Sequence, residues 1–361
     1  MRCALMTFYF AHNYGAVLQA YSLKNYLEHC GHETDIIGFV PEKMIRVYSL
    51  NPLTDGLHPK TIVRRCIRFF RRLKQYRLFS LFIKNRLGVK FSYCDTKKCE
   101  KAVSDKEIVI FGSDQIWNED ITGEIPIYFA GFQTGVAKKI AYAGSFGRDS
   151  LTEYQKECVS KYLYDFAGIS VRENSAKELI KNVLKRNDIQ VVLDPVFLNT
   201  REFWHDLAKQ PKAKVNGKYI LFYSLNKDAE LESRAKTLSR KTGYPVYAIH
   251  PTGGFYSSMG KKLYDVGPEE FLWLIENAEV VCTSSFHAVA FSVIFRKKLV
   301  FKPFSNKESR ARSLLVQVLG KHTPNRSYNE MIDFGSVDYS RLENRIQESK
   351  DFLTLHCRGS E

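Results

Sequence analysis

Residues 3–39 read CALMTFYFAHNYGAVLQAYSLKNYLEHCGHETDIIGF, and this stretch decides the fold class. Cys3–Tyr9 is a short apolar run that predicts a buried strand. His12-Asn13-Tyr14-Gly15 interrupts it, and Ala16–His29 continues with apolar residues at helical spacing. Glu33–Phe39 reads as a second strand. A strand, a helix and a strand in so short a span form a βαβ unit. Such units build parallel sheets covered by helices on both faces.

The alternation continues outward. Glu107–Phe111, Lys139–Gly144, Gly168–Val171 and Gln190–Leu193 predict strands, with helices over Glu153–Tyr164 and Ser175–Leu184. Asp194-Pro195 stops the pattern, which restarts after Thr200. There, strands are expected at Lys218–Tyr223, Val246–His250, Val280–Thr283 and Leu299–Pro303. Helices are expected at Glu230–Thr242, Pro268–Glu276, Ser285–Arg296, Ser309–Leu319 and Asp338–Phe352. The 361 residues therefore divide into two doubly wound α/β domains, 1–198 and 199–361, the first with an irregular insertion near 41–104. Ligands of doubly wound sheets bind beyond the carboxyl ends of strands. The strand-end loops, facing a cleft between the domains, are where chemistry is expected.

Composition narrows the class. At 44% hydrophobic and 26% charged residues the chain is globular, which excludes disorder and collagen-like repeats. No uncharged apolar run approaches the roughly 18 residues of a membrane span. The first fifteen residues, with one basic residue and a short apolar stretch, suit a first strand better than a signal peptide. Eight cysteines are scattered without a CxxC pair, which predicts reduced thiols and a cytoplasmic setting. No metal-ligand spacing accompanies them, so no metal is expected.

The net charge of +15 is concentrated in one segment. Lys60–Lys90 holds eleven Lys or Arg and no acid, and the remainder carries 43 basic against 39 acidic residues. Ile62, Phe69, Phe70, Leu73, Phe79 and Phe82 are interleaved with these cations. A basic amphipathic helix suits an anionic membrane surface or an acidic partner. It equally suits a helix that packs its apolar stripe on the domain. No nucleic-acid-binding pattern accompanies it, so nucleic acid is not an expected partner.

Four strand-end loops carry candidate chemistry. Asn13 either caps the helix that follows or, with Gly15, admits an anion to the helix N-terminus. Gly112-Ser113-Asp114-Gln115-Ile116-Trp117-Asn118 places amides, a carboxylate and an indole where a sugar can be held, or is a capped helix start with Trp117 in the core. Arg172, in Ser170-Val171-Arg172-Glu173, either clamps an anion or pairs internally with Glu173 or Asp194. Thr283-Ser284-Ser285-Phe286-His287 ends a buried strand in three hydroxyls that either cradle an anion, with His287 as a proton carrier in the first helical turn, or merely cap the helix, with His287 in the core. Lys302 and Lys307 follow the next strand.

Taken together and in this order, these motifs resemble the polysaccharide pyruvyl transferase family. The matching stretches are Asn13–Tyr21, Gly112–Asn118, Ala143–Gly147, Ser170–Glu173, Leu193–Pro195 and Thr283–His287. The segment Lys60–Lys90 lies outside the resemblance, and Ala288 stands where family members commonly have glycine. The resemblance implies two Rossmann-like domains facing a cleft, as in B-type glycosyltransferases, with the acceptor on the first domain and the donor on the second. It implies transfer of pyruvyl from phosphoenolpyruvate, a co-substrate rather than a cofactor, to a sugar of a surface-polysaccharide precursor. By resemblance His287 is catalytic, and Arg172 and Lys307 bind the donor with Thr283, Ser284 and Ser285. Asn13, Tyr14, Gln19, Asp114, Gln115, Trp117 and Asn118 are the expected acceptor contacts. A nucleotide-sugar glycosyltransferase on the same architecture is the competing expectation. A lipid-linked acceptor would bring the enzyme, through Lys60–Lys90, to the inner face of the membrane.

Overall fold

The computed structural model describes residues 1–48, 69, 73–249, 260–302, 308–320 and 331–358. Two six-stranded sheets organise them. The first contains β1 (Arg2–Met6), β2 (Glu33–Ile36), β3 (Ile108–Phe111), β4 (Lys138–Gly144), β5 (Gly168–Val171) and β6 (Gln190–Val191), in the order β2-β1-β3-β4-β5-β6. The second contains β7 (Ile220–Tyr223), β8 (Val246–Ile249), β9 (Lys261–Leu263), β10 (Val280–Thr283), β11 (Lys298–Phe301) and β12 (Ile332–Asp333), in the order β12-β11-β10-β7-β8-β9. Every pairing is parallel except β11 with β12. Both are Rossmann-like α/β domains. The central strands β3 (Ile-Val-Ile-Phe) and β10 (Val-Val-Cys-Thr) are buried on both faces, as parallel strands between helical layers must be.

Strand order reverses between β1 and β3 in one sheet and between β7 and β10 in the other. The loops after these strands open at the switch points, where doubly wound sheets take ligands. Asn13 starts the helix Tyr14–His29 by accepting the Gly15 N–H at 3.0 Å. That helix is buried over most of its length, because it lies between the domains.

Two strands end earlier than their apolar runs suggest. The Thr7 hydroxyl donates to the Ser113 carbonyl, and Gln19 takes the Phe8 carbonyl, so the chain leaves the sheet after Met6. After Ile36, Gly38 and Val40 pair with Tyr93 of the insertion instead of the sheet. The edge strands β9 and β12 and the helix Arg201–Leu207 lie outside the predicted elements. Strands of two or three residues are too short for a periodic signal.

The core runs continuously from one domain into the other. Tyr14 stacks on Phe271 with ring centroids 4.3 Å apart and planes 2° from parallel. Its hydroxyl donates to the Val266 carbonyl (3.0 Å) and accepts from Gln75 (2.8 Å). The C-terminal helix Ser340–His356 returns to the first sheet, where Phe352 and Leu353 share a core with Leu5, Ile108 and Ile140.

The described part of the basic segment is packed along one face, with Leu73, Tyr76 and Leu81 left exposed. Residues 73–82 are helical. Phe79 and Phe82 are buried against Tyr14 and Tyr21. Arg86 pairs with Glu269 of the second domain at 2.9 Å. Residues 79–86 thus touch both domains. Arg64, Arg65, Arg68, Arg71 and Arg72, which carry the membrane expectation, lie outside the described residues. Among the described residues no helix is long and apolar enough to cross a membrane.

Candidate functional site

Five strand-end loops bring Gly15, Asp114, Arg172, Asp194 and His287 together at the domain boundary. His287 stands in the first turn of the helix Phe286–Ile294, directly after β10, and is buried. Its ring lies against Gly15, where an added Cβ would come within 1.9 Å of Nδ1. A glycine is therefore needed there for the helices of the two domains to meet. The Nε2 atom is buried without a hydrogen-bond partner and faces Asp194 Oδ2 at 3.5 Å.

Asp194 is fully buried at the end of the first sheet. Its Oδ1 accepts the Val196 N–H, opening the turn Pro195–Phe197. Its Oδ2 accepts from Arg172 Nη1 at 2.8 Å and from the Ser113 hydroxyl at 3.4 Å. Burial favours the neutral acid, but His287 and then Arg172 outweigh it and hold the carboxyl at about 2. The other end of Arg172, Nη2, donates to Asp114 Oδ1 at 3.1 Å. The guanidinium also lies over the Phe286 ring, 5.0 Å from its centroid. Burial opposes its charge, and the carboxylates of Asp114, Asp194 and Glu173 more than restore it. Asp114 itself sits at φ +77°, a conformation uncommon for a residue with a side chain, and its carboxylate accepts the Gln115 N–H at 2.8 Å.

The other expected site residues divide into two groups. Ser285 opens the His287 helix without a side-chain capping bond. Ser284 lies beside it, 3.0 Å from the Ser224 hydroxyl across the β7–β10 switch point. Gln115 is half-buried at the loop surface and accepts from Asn118, which also caps the short helix Glu119–Thr122.

Several expectations are corrected by burial. Trp117 does not offer a face to a sugar. Its ring is packed among Phe129, Phe146 and Gly144, and its N–H donates to the Tyr128 carbonyl. Gln19 is fully buried and ties Thr7, Phe8 and Ala16 together. Tyr14 is the interdomain contact described above, and Asn13 is a helix cap. The Thr283 hydroxyl is used within the fold, donating to the Tyr223 carbonyl and accepting the Ser285 N–H. Arg172 is only 2% exposed, with its two terminal nitrogens on carboxylates, so it does not present a free charge to a donor. Lys302 is paired with Asp228 and Glu230, and Lys307 lies outside the described residues. Asp194, read from the sequence as a pairing partner for Arg172 and as part of the Leu193–Pro195 match but not as a site residue, stands at the centre of these contacts.

A family model of polysaccharide pyruvyl transferases matches residues 13–303, from the Asn13 cap through the His287 helix and β11. The chain belongs to the polysaccharide pyruvyl transferase family. All five converging residues fall inside the family match. No curated protein matches the chain. Among solved structures it is similar to S. aureus MnaA with UDP, at 10% identity over 100% of this chain and 98% of that one, with a TM-score of 0.48. It is similar to a UDP-GlcNAc 2-epimerase from Neisseria meningitidis, at 10% identity over 98% and 99% and a TM-score of 0.44. It is also similar to the E. coli heptosyltransferase WaaC, at 13% identity over 96% and 99% and a TM-score of 0.41. Likenesses this remote say nothing of its chemistry.

Proposed function

We propose that this member of the family transfers the pyruvyl unit of phosphoenolpyruvate to a sugar of a surface-polysaccharide precursor, as a cyclic ketal. The observation that carries the reading is the placement of His287. It lies inside the family match, on the helix that follows β10 and against Gly15 of the helix that follows β1, so the two switch points meet at its ring. His287 gives a proton to the methylene carbon of phosphoenolpyruvate, which makes C2 electrophilic. A sugar hydroxyl adds to C2 and its proton returns to the imidazole. The C2–O bond to phosphate breaks, and a second hydroxyl of the same sugar closes on C2. Its proton leaves with the phosphate.

The donor's anionic groups fit the Ser284–Ser285 turn and the first N–H groups of the His287 helix, with Lys307 as the expected cation. The acceptor fits the Asp114–Asn118 side of the crevice. A lipid-linked acceptor at the cytoplasmic face of a membrane suits the arginines between residues 64 and 72. Replacing those five with Gln should then weaken binding to anionic vesicles and slow turnover of a lipid-linked acceptor. Equal vesicle binding would argue for a packing role throughout the segment.

The deciding experiment incubates the protein with phosphoenolpyruvate and a panel of lipid-linked and nucleotide-linked sugars. Inorganic phosphate release and a mass gain of one pyruvate ketal are expected. Release of nucleotide from a nucleotide sugar, without consumption of phosphoenolpyruvate, would point instead to a glycosyltransferase.

A further inference from the structure

We propose that Asp194 is the positioning residue for His287, and that Arg172 serves the site as the counter-ion of Asp194 instead of as a donor clamp. The inference deepens the reading above and rests on His287 being its proton carrier. His287 and Asp194 come from different domains, yet the buried Nε2 faces the buried Asp194 Oδ2 at 3.5 Å. Gly15 packs against the ring beside Nδ1, Cγ and Cε1 and limits its swing, while Nε2 is the ring nitrogen buried without a hydrogen-bond partner. A carboxylate opposite Nε2 selects the tautomer that carries its proton there. Nδ1 is then the atom that exchanges a proton with substrate. Separations somewhat longer than a closed hydrogen bond are common before substrate binds.

Arg172 completes the device. Its Nη1 holds the same Oδ2 that faces His287, and its Nη2 is anchored on Asp114. Its flat face covers Phe286, the neighbour of His287. A buried carboxylate needs a paired charge, and Arg172 supplies it while touching both halves of the site. A donor clamp turns its terminal nitrogens to the ligand; here both are held on carboxylates, and Nε is buried without a hydrogen-bond partner.

The test reads the tautomer directly and needs no substrate. Long-range proton–nitrogen spectra of 15N-histidine-labelled protein, with His287 assigned by its loss in His287→Gln, should show neutral His287 protonated at Nε2. In Asp194→Ala the acceptor opposite Nε2 is gone, so the Nε2-protonated form should lose its preference and a measurable share of Nδ1-protonated ring should appear. With phosphoenolpyruvate as donor, kcat of Asp194→Ala should fall about 10²–10⁴-fold while KM stays within about threefold. Neutral wild-type His287 protonated at Nδ1, or an unchanged tautomer in folded Asp194→Ala, overturns the assignment. If the Ala variant does not fold, the wild-type spectrum alone decides. In Arg172→Lys, KM for phosphoenolpyruvate should hold. A rise of about tenfold or more with the tautomer unchanged would make Arg172 a donor contact after all. Failure of pyruvyl transfer in the wild type would remove the proposed reaction and leave the spectroscopic result standing.

Discussion

The imidazole of His287 occupies the volume that a side chain at Gly15 would need, with Nδ1 1.9 Å from the position of the missing Cβ. The two residues belong to different domains, so the contact measures how closely the domains meet. Gly15→Ala should therefore displace the ring or part the helices. A shift of about 1 Å in a reacting group costs on the order of 10²-fold in rate. Turnover should fall at least that far, and the thermal midpoint should fall with it, because overpacking a buried contact costs about 1–3 kcal/mol. Full activity in Gly15→Ala would mean that the ring works from another position.

His287→Ala should lower turnover by about 10²–10⁴-fold, the range of a general acid–base residue, with the fold intact. Circular dichroism and a phosphate-release assay check the two halves of this statement. Wild-type turnover in a folded variant counts directly against a proton-transfer role.

Tyr14 and Phe271 carry the interdomain packing. Phe271→Ala removes a fully buried ring and should cost about 3–5 kcal/mol. Tyr14→Phe keeps the stack but leaves the Val266 carbonyl without this donor, which should cost about 1–3 kcal/mol. Urea unfolding measures both. Near-zero effects would show that the interface contributes little to stability.

Trp117→Ala tests whether the indole is core or sugar platform. Its burial predicts a loss of about 3–5 kcal/mol. A variant of normal stability with a raised acceptor KM would restore the platform role.

Acid should weaken the fold through Asp194. Its carboxyl sits at about 2 when folded, against an ordinary 3.8. The unfolded chain therefore binds this proton first as pH falls. The stabilisation is present in full above about 3.8 and is lost as pH falls towards 2, on the order of 2 kcal/mol. Between pH 5 and 2, the stability of Asp194→Asn should decline less steeply than that of the wild type. Parallel declines would show that Asp194 is not held ionised.

The fold was readable because parallel α/β architecture writes itself locally. Ile108–Phe111 and Val280–Thr283 are apolar on both faces, and the first helix begins at a recognisable cap, Asn13. His287 and the serines before it were legible for the same reason: a strand, a polar turn and a helix are contiguous in sequence. Trp117 and Gln19 could not be placed from sequence, because a residue type does not disclose which way its side chain points. The indole that suits a sugar also suits a core with one carbonyl to receive its N–H.

What the sequence by itself determined is the pair of doubly wound domains, the strand-end loops that carry the chemistry, and the family. These depend on periodicity and on motifs within a few residues of one another. What only the tertiary structure decided is the company each group keeps. It set Gly15 under His287, Asp194 opposite Nε2, and Arg172 between two carboxylates, at sequence separations of 22 to 272 residues. Charge and reactivity in a buried site depend on distance and desolvation, and neither is a property of the chain until the two domains have closed on each other.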